Sequence, residues 1–387
     1  MKNMKKIVAL VLCLVLVMTT MIIGTGCGGS DGSGESGESG ESSGLVIGLS
    51  NGTTGNAFRT GMVDSATAYL EELKSQGVIA DYIVSNTNDA NDQVAGLTDM
   101  INRDVDLIVT TVDNGQVLAP VFQEAIDNGI MIISGGCEGV DLGPLNISME
   151  ENSYDFCALP TEYLAYEMGY KGGIVHLYGL EGGWTAGEQR KQAVRDVAEK
   201  YNMDILAAAP CLWMDAEAST VISSLLATNG DSYGGENAMV MNEDVANGVY
   251  QAYKTAGVDL KYINGLYTYG WLRTWDADKD LVSCVVPYRP DISVDWINLG
   301  LLLLTEGYEI DNSKLTEDYK IYLPVSEIIV RDEPAGDEAW LDAVPEGTKV
   351  VTLADALAGN EDKSDNECIM GAFDKQFLID NYLKKAE

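Results

Sequence analysis

The chain has 387 residues, with 60 Asp and Glu against 24 Lys and Arg and a formal net charge of −36. Such a field repels nucleic acid and anionic lipid headgroups, and an anionic ligand would need local cations to oppose it. The length suits two domains with sizeable cores.

Lys2, Lys5 and Lys6 precede an apolar run from Ile7 to Val17, and small residues follow up to Cys27. A basic start, an apolar stretch of this length and a small-residue end predict a secretory leader over 1–26, too short for a membrane span. Thr25-Gly26-Cys27 resembles a bacterial lipoprotein box, which implies a lipid on Cys27. Residues 28–44, "GGSDGSGESGESGESSG", hold no apolar side chain and cannot join a core. As a coil they reach about 20–25 Å, a fitting tether.

From residue 45 short apolar runs alternate with helical patterns. Strands are expected at 45–50, 81–85, 106–111 and 130–134, with helices near 57–76, 90–103 and 116–128. The pattern restarts after 150, with strands at 173–178, 204–209, 238–241, 261–264 and 282–286. Helices are expected near 152–170, 186–201, 216–228, 243–256 and 291–306. Two such series predict an α/β chain of two doubly wound parallel-sheet lobes.

Sheets of this kind bind ligands at the carboxyl ends of their strands. The first such loop, "GLSNGTTGNAF" at 48–58, has glycines at neither dinucleotide nor P-loop spacing, so a neutral ligand fits it better than a phosphate. It offers Asn56 and Phe58. Later strand ends offer Trp184 and Arg190; Trp213 and Asp215; Asn242, Glu243 and Asp244; Tyr267, Tyr269 and Trp271; then Pro287, Tyr288 and Arg289. A sugar needs this set, because rings stack on its C–H faces while Arg and Asn pair its hydroxyls. Singly, each residue has a simpler reading. Trp and Tyr cap cores, Asn242, Glu243 or Asp244 starts a helix, and Arg190 pairs with Glu188 or Asp196 on a solvated face. Their gathering on one edge favours a site. The cysteines beyond Cys27 (Cys137, Cys157, Cys211, Cys284, Cys368) form no Cys-x-x-Cys pair, and the sole histidine, His176, lies in a strand-like run. Buried thiols and a packed histidine are expected, with no metal, no cofactor and no catalytic triad.

The stretch "QVAGLTDMINRDVDLIVTTVDNGQVLAPVFQEAIDNGIMII", residues 93–133, with the ordered segments over about 45–330, resembles the type I periplasmic-binding-protein family, in particular the ribose and simple-sugar receptors of ABC importers. The resemblance implies a stacking aromatic at Phe58 with Asn56 nearby, a hydroxyl-binding arginine at Arg190 and a second stacking aromatic at Trp213. It places the family's Asn-Asp pair on Asn242 and Glu243, a hinge residue on Tyr288, and a ligand aspartate on Asn264 or Tyr267. It also implies a three-crossing hinge near Met149–Asn152, Pro287–Tyr288 and Leu323–Pro324. The Asp-Arg pair of ribose-type members is replaced here by Gly136 and Cys137. The ligand is thus open among another sugar, a nucleoside and another small polar compound.

The expected organisation is a leader at 1–26, an anchored linker at 27–44, a first lobe at 45–150 plus 288–323, a second lobe at 151–287 plus 324–333, and an extension at 334–387 of unassigned role. The expected protein is a monomeric extracytoplasmic lipoprotein on the bacterial cell membrane. It would bind a small molecule and serve ABC permease subunits, with no nucleic-acid partner. Alternatives are a ligand-sensing subunit for a membrane kinase, a structural surface lipoprotein, and a carboxylate glycosidase using Glu181, Asp215 or Glu243.

Overall fold

The computed structural model describes residues 44–54, 57–112, 114–135, 146–182, 185–316 and 319–386. The first lobe opens with β1 (Val46–Asn51), α1 (Ala57–Ser75), β2 (Asp81–Asn86), α2 (Ala90–Asn102), β3 (Leu107–Thr111), α3 (Gly115–Asp127), β4 (Met131–Gly135) and β5 (Asn146–Glu151). The second follows with α4 (Ser153–Glu167), β6 (Gly173–Tyr178), α5 (Thr185–Tyr201), β7 (Asp204–Pro210), α6 (Asp215–Asn229), β8 (Ala238–Asn242), α7 (Ala246–Ala256), β9 (Tyr262–Asn264), α8 (Tyr269–Ala277) and β10 (Val282–Cys284). The chain then returns through α9 (Ile292–Thr305), β11 (Tyr308–Ile310) and β12 (Lys320–Leu323).

The first sheet has the order β12-β5-β4-β3-β1-β2 and the second β10-β9-β8-β6-β7, with every pairing parallel. β3 is buried along its whole length and β1 at all but its first residue, as strands covered by helices on both faces must be. α1 buries Met62, Ala66, Leu70 and Leu73, the three-to-four-residue stripe of a helix lying on a sheet. Among the described residues no helix is long and apolar enough to cross a membrane.

The chain passes between lobes from β5 into α4, from β10 into α9, and from β12 into β13 (Glu327–Val330). The strand expectations missed β5, and the reason is physical. Its sequence, NISMEE, carries polar side chains at four of six places, yet all six are buried. Those side chains find polar partners: Glu151 meets Arg289 at the hinge, Ser148 bonds Glu150 within the strand, and Asn146 accepts from Ser134 of β4. α8 was missed too: its residues Tyr269 and Trp271 had looked like cleft walls.

The residues beyond 333 join both lobes. β14 (Lys349–Thr352) pairs in parallel with β13, and α10 (Leu353–Leu357) follows it. Trp340 packs edge-on to Tyr163 of α4, centroids 5.1 Å apart. α11 (Lys375–Tyr382) and β15 (Leu383–Lys385) end the chain on the first lobe, β15 antiparallel to β11.

Candidate ligand-binding site

Arg190 lies in α5, in the second turn, yet is only 2 % exposed. The solvated pairing is not adopted. Glu188 binds Lys191 at 2.6 Å, and Asp196 accepts from the Tyr154 hydroxyl at 2.9 Å. Arg190 turns inward instead, and its Nη1 donates to Glu243 Oε2 at 3.1 Å. Glu243, just past β8, is fully buried, and the same Oε2 accepts from the indole N–H of Trp213 at 3.1 Å. Its second oxygen, Oε1, is buried with no hydrogen-bond partner among the described residues.

Aromatic rings enclose the pair. The Arg190 guanidinium lies 4.8 Å from the Phe156 centroid and 4.6 Å from that of Tyr288. Tyr288, on the second crossing, also meets Phe58 at the start of α1, centroids 5.2 Å apart. One cluster therefore draws on the first lobe, the hinge and three strand ends of the second lobe. Burial alone would favour neutral Arg190, but the neighbouring Glu243 carboxylate raises its pKa, so the guanidinium stays charged. Asp244 accepts from the Tyr267 hydroxyl at 3.3 Å. Burial pushes its carboxyl up to about 6 despite the attraction of Arg190.

Trp213 reaches the site because Leu212 and Trp213 both adopt φ of 53°, a left-handed turn that aims the indole back across the sheet end. The ring lies on Gly179, where an added Cβ would sit 2.0 Å from Trp213 Cε2. Gly179→Ala should therefore dislodge the indole, shift its fluorescence and weaken ligand binding at least tenfold. Unchanged emission and affinity would show that the ring is placed otherwise.

The other expected site residues are placed as follows. Asn242 is committed within its lobe: its Nδ2 donates to Asn264 O and Oδ1 at 2.7 and 3.0 Å, and its Oδ1 accepts from Val245 N–H just before α7. Asn264 returns a bond to Asn242 O, so the two amides sew β8 to β9. Tyr267 is buried and reaches the cluster through Asp244. Trp271 belongs to the core, not the cleft. It is fully buried, because the period of α8 turns Trp271, Leu272 and Trp275 inward. Of the glycosidase carboxylates, Glu181 is exposed and bonded by the Tyr178 hydroxyl, and Asp215 accepts from Gly248 N–H at 2.8 Å. Asn56, Trp184, Gly136, Cys137 and Cys27 lie outside the described residues. His176 is buried, and burial pushes its pKa down to about 4, so it packs as a neutral ring.

Sequence reasoning missed Phe156. It sits on the helix that leaves β5, and a lone aromatic in an apolar helix reads as core. Arg289 was grouped with the strand-end residues, but it is fully buried in the hinge. There its Nε donates to Glu151 Oε1 at 2.7 Å and its Nη2 to Asp295 Oδ2 at 3.1 Å.

The sequence matches the family described as periplasmic binding protein domain over residues 47–280. No curated protein sequence matches the chain. Among solved structures, an ABC transporter solute binding protein from Thermobispora bispora aligns with a TM-score of 0.65 at 20 % identity, covering 87 % of this chain and 94 % of its own. One from Actinobacillus succinogenes with bound D-allose aligns with a TM-score of 0.57 at 22 % identity, covering 72 % and 95 %. One from Bacillus halodurans with bound myo-inositol has a TM-score of 0.57 at 19 % identity, covering 74 % and 94 %. At these identities the structures establish the shared fold. Together with the match over 47–280, the two parallel-sheet lobes and their three crossings make this chain a member of the periplasmic-binding-protein family, with the type I fold.

Proposed function

We propose that the protein is an extracytoplasmic solute-binding lipoprotein, tethered through Cys27. In this reading it holds a neutral, hydroxyl-rich molecule, a sugar or polyol, between its lobes and delivers it to an ABC permease. The observation that carries the reading is the Arg190–Glu243 pair, buried among Phe156, Tyr288 and Trp213. The two charges cancel, so the pair calls for no net charge on the ligand, and the neighbouring Asp244 carboxyl disfavours an anion. Glu243 Oε1, buried and without a hydrogen-bond partner among the described residues, would accept from a ligand hydroxyl, and the rings offer faces to sugar C–H groups. Solved relatives of the same fold hold D-allose and myo-inositol, which are neutral and hydroxyl-rich. No bond is broken in this reading: the carboxylates hold hydroxyls and do not transfer protons to a leaving group.

A thermal-shift panel of D-allose, myo-inositol, other hexoses, pentoses and nucleosides tests it. At a hundredfold excess over Kd a binder stabilises by about 2.7 kcal/mol, a rise of several degrees in Tm. At least one sugar or polyol should give that rise, and Trp213→Ala should remove it. Silence from every sugar and polyol, or a response from nucleosides alone, would contradict the sugar reading.

A further inference from the structure

Beyond its three crossings the chain makes a fourth. After α10 it runs back along the second lobe and zips onto the loop that follows β9. Gly270 N–H donates to Asp365 O at 3.1 Å, Tyr269 N–H to Glu367 O at 3.1 Å and Ile369 N–H to Tyr267 O at 2.8 Å. Thr268 and Cys368 pair as an antiparallel bridge. Two residues on, the segment is at the hinge. Gly371 and Ala372 N–H both donate to Asp291 Oδ2, at 2.7 and 2.6 Å, and Gly371 O accepts from Arg289 Nη1 at 2.8 Å. It then enters the first lobe. Phe373 lies 4.6 Å from the Arg289 guanidinium and stacks on Phe377, and Leu378 is fully buried in the first-lobe core.

We infer that residues 367–378 form a strap that positions residues 267–270, where β9 leads into α8, and limits how far the lobes part. The strap holds the backbone of the loop from which Tyr267 reaches Asp244. Between its last bond to the second lobe, at Ile369, and its first at the hinge, at Gly371, a single residue remains. Two residue steps span at most about 7 Å, so the segment has no slack to absorb a wide opening unless an anchor releases. That residue, Met370, also leans on the first lobe: its methyl lies 3.4 Å from where a Cβ on Gly61 of α1 would sit. Arg289 ties the strap to the first crossing through Glu151 and to α9 through Asp295. Closure about a hinge is absorbed by a few residues. A taut extra crossing disfavours the open state and shifts the population toward the closed, binding-competent one.

The test needs no ligand and so stands apart from the sugar reading. Spin labels on Asp64→Cys in α1 and Glu217→Cys in α6, both exposed, report the distance between lobes in the full chain. The described native cysteines are buried and resist labelling. Eight Gly and Ser residues inserted between Met370 and Gly371 would keep every anchor and slacken only the strap. Asp291→Ala would instead remove the carboxylate that accepts both strap N–H groups at the hinge. In either variant the distance distribution of the ligand-free protein should move to longer values and broaden. If the insertion prevents folding, Asp291→Ala alone decides. A folded variant with the parent's distribution, whether or not its Tm falls, would overturn the inference, since a merely structural tie would alter stability alone.

Discussion

Arg190→Ala should cost the fold about 3–5 kcal/mol and abolish ligand binding, because it strands the buried carboxylate of Glu243 with only the Trp213 indole for support. The pair's own net contribution to stability is a different quantity. Desolvating two charges offsets most of their attraction, so replacing both with apolar groups of similar volume is often neutral. The double variant Arg190→Met/Glu243→Met should therefore recover most of the lost stability while remaining unable to bind. Urea unfolding of parent, single and double variants measures the first part. A single variant losing less than about 1 kcal/mol would mean that Glu243 reaches solvent in solution. Recovery of stability without recovery of binding would separate the ligand role of the pair from its structural role.

Arg289→Ala should destabilise the hinge by a similar amount, because it leaves Glu151, Asp291 and Asp295 facing one another without their cation. The same cluster sets a pH dependence. Burial pushes the carboxyls of both Glu151 and Asp295 up to about 7, against the attraction of Arg289. In the unfolded chain they titrate near ordinary carboxylate values. Between those values and about pH 7 the folded protein binds more protons than the unfolded one, so stability falls as pH rises through that window. His176, pushed down to about 4, acts in the opposite sense below about pH 6.5. It is common to parent and variant and cancels in their difference. The urea midpoint should thus fall more between about pH 5 and pH 8 in the parent than in Asp295→Asn. Parallel pH profiles would show that the cluster is not titrating.

The fold was legible where burial leaves an apolar mark. Runs such as Leu107 to Thr111 can only be strands covered on both faces, and the spacing of Met62, Ala66 and Leu70 can only be a helix on a sheet. β5 left no such mark, because its buried side chains are polar and the cation that Glu151 meets, Arg289, lies 138 positions away. Within the site, Arg190, Trp213, Glu243 and Tyr288 follow strand ends, so topology alone drew them to one edge. Whether Arg190 faced water or the cleft depended on Glu243, 53 residues on. Phe156 had no signal to set it apart from the core of α4, and Trp271 had a strand-end position but a helix's burial. The strap was the least legible part. Its anchors are backbone N–H groups, and its approach, "GNEDKSDNE" at 359–367, has the composition of a solvated loop.

Titration calorimetry of the neutral sugars and polyols, with their anionic acids as controls, tests the assignment of the cleft most directly when run on the parent and the Arg190→Met/Glu243→Met double variant side by side. The expected result is one-to-one binding of at least one neutral sugar or polyol by the parent and none by the folded double variant. Equal binding by both proteins, or binding of the anionic acids alone, would contradict the placement of a neutral ligand on the Arg190–Glu243 pair.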